Sequence, residues 1–157
     1  MASKELKIRY EEFTSPSEMT ERDQMLVAAA LDAQKGSYSP YSQFQVGAAL
    51  LLADGTVVKG ANQENAAYPS GLCAERTALF AASAQHPGVA FESLALVCSR
   101  DGRLMPNPGS PCGACRQVMA QYERESRRPM RIILGSGGPI LVFEGVESLM
   151  PLIFNDL

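Results

Sequence analysis

The chain has 157 residues, and its 46% hydrophobic and 20% charged residues form an ordinary one-domain composition that excludes disorder, coiled coils and repeats. Its net charge of −3 argues against binding of a nucleic-acid polymer, because phosphate backbones are bound by clustered Lys and Arg. The first residues lack the apolar core of a signal peptide, and no apolar run approaches the roughly 20 residues of a membrane span, so we expect a cytoplasmic protein without membrane contact.

Apolar periodicity and turn residues divide the chain into strands and helices. Residues 1–19 are taken as an N-terminal extension, and residues 99–111 are polar and rich in Gly and Pro, which predicts a loop. In chain order, the predicted elements are a strand through Leu6, Ile8 and Tyr10, a helix over 21–35, strands over Phe44–Leu52 and Thr56–Ala61, a helix over Cys73–Gln85, a strand over Phe91–Cys98, a helix over Gly113–Glu125, strands over Met130–Leu134 and Ile140–Phe143, and a helical turn over Glu147–Leu152.

The connections between these elements predict a single sheet with helices around it. Phe91–Cys98 is a nearly continuous apolar run, as expected of a strand that is covered on both faces. Only Gly135–Pro139 joins the last two strands, which is too short for a parallel crossover, so that pair should be antiparallel. The sequence therefore predicts an α/β fold with a five-stranded mixed sheet flanked by helices.

Three cysteines stand at the beginnings of two predicted helices. Cys73 begins one helix, and Cys112 and Cys115 begin the other. A Cys-x2-Cys pair alone also fits a redox pair or a zinc knuckle. Three thiolates with Glu75 two residues after the first favour a catalytic zinc site, because three protein ligands leave the fourth position for water. The glutamate can then move protons without occupying a coordination position.

Cys98 leaves an alternative open for this site. With Cys98 as a fourth ligand the zinc site would be closed and structural. Its position at the end of an apolar strand instead favours a small buried core residue. The only histidine, His86, lies in a predicted loop, so Ser-His-Asp and Cys-His chemistries have little support.

Several separated segments, in the correct order, resemble the three-cysteine, homotetrameric branch of the cytidine deaminases. These segments are Tyr41–Ala49, Gly60–Pro69, Cys73–Arg76, Pro111–Gln117 and Glu147–Phe154. The resemblance implies the three-layer α/β/α cytidine-deaminase fold, with a catalytic domain over residues 20–157. It also implies zinc-dependent hydrolysis of cytidine and 2′-deoxycytidine to uridine and 2′-deoxyuridine with release of ammonia, a reaction of pyrimidine salvage.

The same resemblance implies roles for individual residues. The implied ligands of one zinc ion per chain are Cys73, Cys112 and Cys115. Glu75 would be the proton shuttle, and Arg76 would offset the negative charge of the thiolates, with Arg116 as a second candidate. The implied substrate-binding residues are Phe44, Asn62, Glu64, Tyr68, the backbone at Ala74, and Phe154 from a neighbouring subunit.

Three other functions share parts of this pattern. A deaminase of another aminated heterocycle, such as blasticidin S, would carry the same zinc motifs, although Asn62–Asn65 and the tail aromatic favour a nucleoside. A deaminase of RNA or single-stranded DNA is disfavoured by the acidic charge. A non-enzymatic zinc module would not explain Glu75. The expected partners are a small-molecule nucleoside and further copies of the same chain.

Overall fold

The computed structural model describes residues 1–154, in which strands and helices alternate along most of the chain. The strands are β1 (Glu11–Phe13), β2 (Phe44–Leu52), β3 (Val57–Ala61), β4 (Phe91–Arg100), β5 (Arg103–Leu104), β6 (Arg131–Gly135) and β7 (Ile140–Glu144). The α-helices are α1 (Glu21–Ala33), α2 (Ala74–Gln85) and α3 (Gly113–Ser126). Short 3-10 turns lie at Pro16–Glu18, Gln34–Gly36, Tyr68–Ser70 and Val146–Ser148. None of the helices in the described residues is long and apolar enough to cross a bilayer.

The strands form one mixed sheet in the order β1-β7-β6-β4-β2-β3, with β5 paired to β4. Only β4 and β6 run parallel among these pairs, and α3 makes the crossover between them. The predicted antiparallel pairing of the last two strands is confirmed by the β6–β7 register.

Two apolar clusters place one helix on one face of the sheet and two helices on the other. The cluster under α1 includes Leu26, Ala30, Ala49, Ala95 and Ile133. The cluster under α2 and α3 includes Leu50, Leu79, Leu94, Met119 and Ile132. The predicted three-layer α/β/α fold is therefore confirmed. Strand β4 is buried on both faces, as its continuous apolar run predicts.

Glycines let both helix layers approach the sheet at van der Waals distance. A Cβ atom at Gly60 in β3 would lie 2.4 Å from the backbone nitrogen of Ala78 and 2.6 Å from the carbonyl oxygen of Ala74, both in α2. At Gly47 in β2, a Cβ atom would lie 1.9 Å from the carbonyl oxygen of Ala30 in α1. The first turn of α2 is thus seated directly on β3, which fixes the start of that helix relative to the sheet.

The predicted strand through residues 6–10 is wrong. Pairing with β7 begins at Glu11, because the antiparallel register places Glu11 opposite Val142 and Phe13 opposite Ile140. Continued backwards, this register reaches the end of β7 after two more residues, so Leu6 and Ile8 have no strand to pair with and lie exposed. Alternating apolar residues are not sufficient for a strand without a partner of matching length.

The predicted count of five strands is also wrong, since β1 and β5 join the sheet. Strand β5 lies inside the segment predicted as a loop. Asp101 and Gly102 both have positive φ, 51° and 73°, which is the geometry of a two-residue hairpin turn. Asp-Gly is the sequence signal for that turn, but the polar residues around it favour the prediction of a loop over a pair of strands.

Near both ends of the described residues, the local structure differs from the predicted elements. The predicted helical turn over Glu147–Leu152 is instead a 3-10 turn at Val146–Ser148. At the other end, β1 and the buried Met19 show that the segment predicted as an extension contributes to the same sheet and core. The domain boundary at residue 20 stays a prediction.

Candidate active site

The beginnings of α2 and α3 bring three cysteine sulfurs together. Cys73 is the N-cap of α2, Cys112 is the N-cap of α3, and Cys115 lies in the first turn of α3. The Sγ atoms of Cys73 and Cys112 are 3.8 Å apart, and those of Cys112 and Cys115 are 3.4 Å apart. All three sulfurs lie within 4.8 Å of one another. The three predicted ligands are therefore neighbours in space.

This cluster fits a tetrahedral zinc ion. With Zn–S bonds of about 2.3 Å, tetrahedral angles separate the sulfurs by about 3.8 Å, close to the observed spacing. The amino-terminal ends of two helices face the sulfurs and stabilise thiolates. Hydrogen bonding with the thiol of Cys115 and the guanidinium of Arg76 lowers the pKa of Cys73 to about 5 despite its partial burial. Soft thiolate donors in this arrangement select zinc over hard cations.

Cys98 is not a member of this cluster. Of the His, Cys, Asp and Glu side chains in residues 1–154, only Cys73, Cys112 and Cys115 lie close enough together to hold a metal ion. Cys98 is buried near the end of β4, and its burial raises the pKa of the thiol to about 11, so the side chain is a neutral thiol. The geometry therefore supports three sulfur ligands and not the closed four-cysteine alternative.

Glu75 lies beside the thiolates as the second residue of α2. The residue is 5% exposed, and its carboxylate is not one of the clustered ligand atoms but lies in hydrogen-bonding contact with Cys115. Burial, followed by the negative charge on Cys73, raises the pKa of Glu75 above its ordinary value. Ala74, between Cys73 and Glu75, is completely buried. A buried carboxyl group at this place can exchange a proton with a molecule bound next to the metal.

The two arginines considered for charge balance point to different partners. An Nη atom of Arg76 lies 3.9 Å from the sulfur of Cys73, and the buried Nε of Arg76 has no hydrogen-bond partner. Arg116 instead donates to the carbonyl oxygens of Pro111 and Leu149, at 2.8 and 2.5 Å, and to the hydroxyl of Ser110. Arg76 is thus placed to offset the charge of the thiolates, whereas Arg116 joins the loop before α3 to the C-terminal segment.

A cavity of about 700 Å³ opens beside the cysteines, a size suited to a small molecule. The predicted site residues that line it are Phe44, Asn62, Glu64, Tyr68, Cys73, Glu75, Arg76 and Cys112. Residues that sequence reasoning missed include Tyr41, Ser42, Asn65, Leu96, Arg100 and Ser110. Tyr41 and Asn65 fall inside segments that carry the resemblance, whereas Arg100 borders the missed β5 hairpin and has no local signal.

Asn62 and Glu64 also hold the loop that borders the cavity. The amide oxygen of Asn62 accepts hydrogen bonds from Val46 N and Ser37 Oγ, at 2.8 and 2.6 Å, and its amide nitrogen donates to Phe44 O. One amide N–H of Asn62 is left for another acceptor. Glu64 accepts from the backbone nitrogen of Tyr41 at 2.9 Å.

Hydrogen bonding also fixes the charge of Glu64. A side-chain hydrogen bond from Ser42, with backbone bonds from Tyr41 and Ser42, lowers the pKa of Glu64, so the carboxylate is ionised at neutral pH.

Two predicted aromatic residues lie at the surface of the single chain. Tyr68 lines the cavity but is 83% exposed. Phe154 is 61% exposed, does not line the cavity, and its carbonyl oxygen accepts a hydrogen bond from Gln117 Nε2 at 3.0 Å. Within one chain, Phe154 is the predicted site residue that the fold does not bring to the others.

The chain matches the family model described as the cytidine and deoxycytidylate deaminase zinc-binding region, over residues 20–128. That match covers well over half of the chain and includes all three clustered cysteines. The chain belongs to the cytidine and deoxycytidylate deaminase family.

Individual members of the deaminase family agree with this assignment. A cytidine deaminase of Halalkalibacterium halodurans is 51% identical over 98 residues, which are 62% of this chain and 70% of the relative. The crystal structure of a cytidine deaminase from Burkholderia pseudomallei superposes with a TM-score of 0.71 and 41% identity, over 87% of this chain and all of that chain. The crystal structure of a cytidine deaminase from Mycobacterium tuberculosis superposes with a TM-score of 0.66 and 34% identity, over 88% of this chain and all of that chain.

Membership of this deaminase family explains the cysteine cluster. Zinc is the cofactor of the family, and the three sulfurs form a site consistent with it. The predicted zinc cofactor and the predicted family are both confirmed. The roles of single residues in binding and catalysis stay predictions.

Proposed function

We propose that the protein hydrolytically deaminates cytidine and 2′-deoxycytidine to uridine and 2′-deoxyuridine, releasing ammonia, as a cytoplasmic step of pyrimidine salvage. The observation that carries the proposal is the placement of Glu75, a buried carboxyl group beside a three-sulfur zinc site in one cavity. The relatives named above as cytidine deaminases support the same substrate.

Cys73, Cys112 and Cys115 would hold the zinc ion in this reaction. When bound, zinc supplies a water molecule whose pKa is lowered toward neutrality, so that it is a nucleophile at physiological pH. Arg76 would keep the cluster from carrying a full net negative charge, which would otherwise weaken the Lewis acid.

Glu75 would carry the proton through the reaction. It accepts a proton from the attacking water and donates it to N3 of the cytosine ring, which makes C4 electrophilic. After the new C4–O bond has formed, Glu75 takes the second proton from that oxygen and passes it to the exocyclic amine, so the C4–N bond breaks, ammonia leaves and a C4 carbonyl remains. One water molecule is consumed for each cytidine converted to uridine, so atoms and charges balance.

The polar end of the cavity suits a sugar. The ionised Glu64 is an acceptor for a sugar hydroxyl, and the remaining amide N–H of Asn62 is a donor. Hydrogen bonds to sugar hydroxyls would add to the binding of a nucleoside and are lost with the free base, so these two side chains favour the nucleoside. The negative charge of Glu64 also favours an uncharged nucleoside over its 5′-phosphate.

We also propose a homotetramer in which neighbouring chains complete each site. Tyr68 and Phe154 support it, because both are large aromatic side chains that stand exposed near or beyond the cavity of a single chain. An aromatic side chain from a second copy would exclude water and stack on the base, an interaction worth about 1–3 kcal/mol.

Incubation of the purified protein with cytidine, 2′-deoxycytidine or blasticidin S tests the proposed reaction. Mass spectrometry should detect uridine and 2′-deoxyuridine, with equimolar ammonia, and the Glu75→Gln protein should form both at a rate lower by orders of magnitude. Release of ammonia from blasticidin S without conversion of cytidine would contradict the proposal.

A further inference from the structure

The backbone of Phe44 is held at both of its polar groups. Its N–H donates to the hydroxyl of Ser42 at 3.0 Å, and its carbonyl oxygen accepts from the amide of Asn62 at 2.8 Å. Phe44 is the first residue of β2 and lines the cavity. The remaining freedom of Phe44 is therefore the rotation of its side chain, which decides how the ring meets a bound base.

Arg100 covers this ring. The guanidinium carbon of Arg100 lies 5.5 Å from the centroid of the Phe44 ring, within the range of a cation–π interaction. The two residues are directly opposite each other across β2 and β4, so their side chains leave the sheet on the same face. Arg100 also lines the cavity, which places the contact at the substrate side of the sheet.

The charges around Arg100 direct it to the ring. Within residues 1–154, Arg100 forms no ion pair, so no carboxylate competes with Phe44 for the guanidinium. Its other cross-strand neighbour is Arg103 in β5, which carries the same charge. Like charges directly opposite each other repel, and this disfavours orientations of Arg100 toward β5.

We propose that Arg100 is a positioning residue, which holds the Phe44 ring in the orientation that receives the base and so sets the affinity for the nucleoside. The inference rests on the proposed deamination of cytidine. Glu75 on α2 is the proposed proton carrier, whereas Arg100 contacts the Phe44 ring across the sheet, so we expect Arg100 to act on binding and not on the chemical step.

The first test compares Arg100→Met and Arg100→Lys with the matched control Arg103→Met, which removes a cation of the same hairpin that does not line the cavity. Arg100→Met should raise KM for cytidine about two- to five-fold with kcat unchanged, the effect of losing an exposed cation–π contact. Arg100→Lys should recover part of the loss, and Arg103→Met should leave KM unchanged. An unchanged KM for Arg100→Met, or an equal rise for Arg103→Met, would overturn the proposal.

A double-mutant cycle with Phe44→Leu separates positioning from direct contact. If Arg100 acts through the ring, Arg100→Met should have no further effect on KM in the Phe44→Leu protein. Persistence of the full effect, or a loss confined to cytidine 5′-monophosphate, would make Arg100 a direct substrate contact and overturn the positioning role. Failure of the unaltered protein to form uridine would instead contradict the proposed function.

Discussion

At the scale of single residues, four consecutive positions at the start of α2 have different properties. Cys73 offers a sulfur, Ala74 is buried without exposed surface, Glu75 carries an ionisable group, and Arg76 brings a positive charge to the sulfur. Helical geometry allows this because successive side chains point about 100° apart around the axis. Separate substitutions should therefore affect metal, proton transfer and charge independently.

Glu75→Gln tests proton transfer without disturbing the metal. The amide has nearly the shape of the carboxyl group, and Glu75 lies outside the sulfur cluster, so the variant should fold and retain zinc. Its kcat should fall by at least about 10²–10⁴-fold, the usual contribution of general acid–base catalysis. Steady-state kinetics measures kcat, and metal analysis of the same sample measures the zinc content. A kcat within a factor of about ten of the parent would show that Glu75 does not act in the chemical step.

Cys98→Ser and Cys112→Ser form a matched pair for the metal site, since each replaces one sulfur by oxygen. Cys112 belongs to the sulfur cluster, so its variant should lose zinc and unfold at a lower temperature. Cys98 lies outside the cluster, so its variant should keep one zinc per chain. Atomic absorption spectroscopy of the dialysed proteins gives the zinc content. Equal zinc loss in both variants would instead favour four sulfur ligands.

At the scale of secondary-structure elements, the contact between β3 and α2 positions the site. The Cα of Gly60 lies against the backbone of the first two turns of α2, where no side-chain atom could fit. Backbone atoms cannot move aside as a flexible side chain can, so any added atom must displace the helix. The helix carries Cys73 at its cap and Glu75 in its first turn, and the geometry of the metal site therefore depends on a glycine in a strand.

Gly60→Ala should destabilise the fold by about 1–3 kcal/mol, as overpacking of a close contact does, and should weaken zinc retention. Gly36→Ala is the control, because its Cβ would meet only Ala61 Cβ, at an ordinary 3.7 Å. Urea unfolding gives the free energies of unfolding, and zinc release to a chelator follows the site. If the Gly60 variant is as stable as the control, the close packing of α2 on β3 is not required.

At the scale of the whole molecule, two exposed aromatic side chains stand near or beyond the cavity of one chain. Tyr68 stands at its border with most of its surface exposed, and Phe154 lies outside it, near the end of the described residues. Apolar aromatic surface in these positions is stabilised when a second copy covers it. The proposed tetramer therefore makes activity a property of pairs of chains, which mixing experiments can detect.

Co-expression of the Phe154→Ala and Glu75→Gln chains tests this shared site. Phe154→Ala alone should raise KM for cytidine and keep its zinc, since Phe154 lies outside the sulfur cluster. In hybrid tetramers, some sites combine an intact Glu75 with an intact Phe154 from another chain, so activity at low cytidine concentration should exceed that of either variant alone. Sedimentation gives the assembly state, and a fully active monomer would contradict the shared site.

The zinc ligands, Glu75 and the fold class could be predicted from the sequence because their signals are local. A cysteine at a helix cap, a glutamate two residues later and a Cys-x2-Cys pair are set by spacings within one helical turn. The antiparallel end of the sheet follows from a five-residue connection, Gly135–Pro139, for the same reason. Each of these features depends on the positions of residues only a few places apart, so the rest of the fold has little influence on it.

Other features depend on residues far apart in the sequence, and only the tertiary structure decided them. The sequence by itself predicted three zinc-binding cysteines and a glutamate at the beginnings of α2 and α3. The tertiary structure decided that β1 begins at Glu11, because strand pairing depends on where β7 ends, and that Cys98 stays outside the sulfur cluster. It also decided that Arg100 covers Phe44, since the register between β2 and β4 pairs residues more than fifty positions apart. Register is a property of two strands together, and neither strand carries it alone.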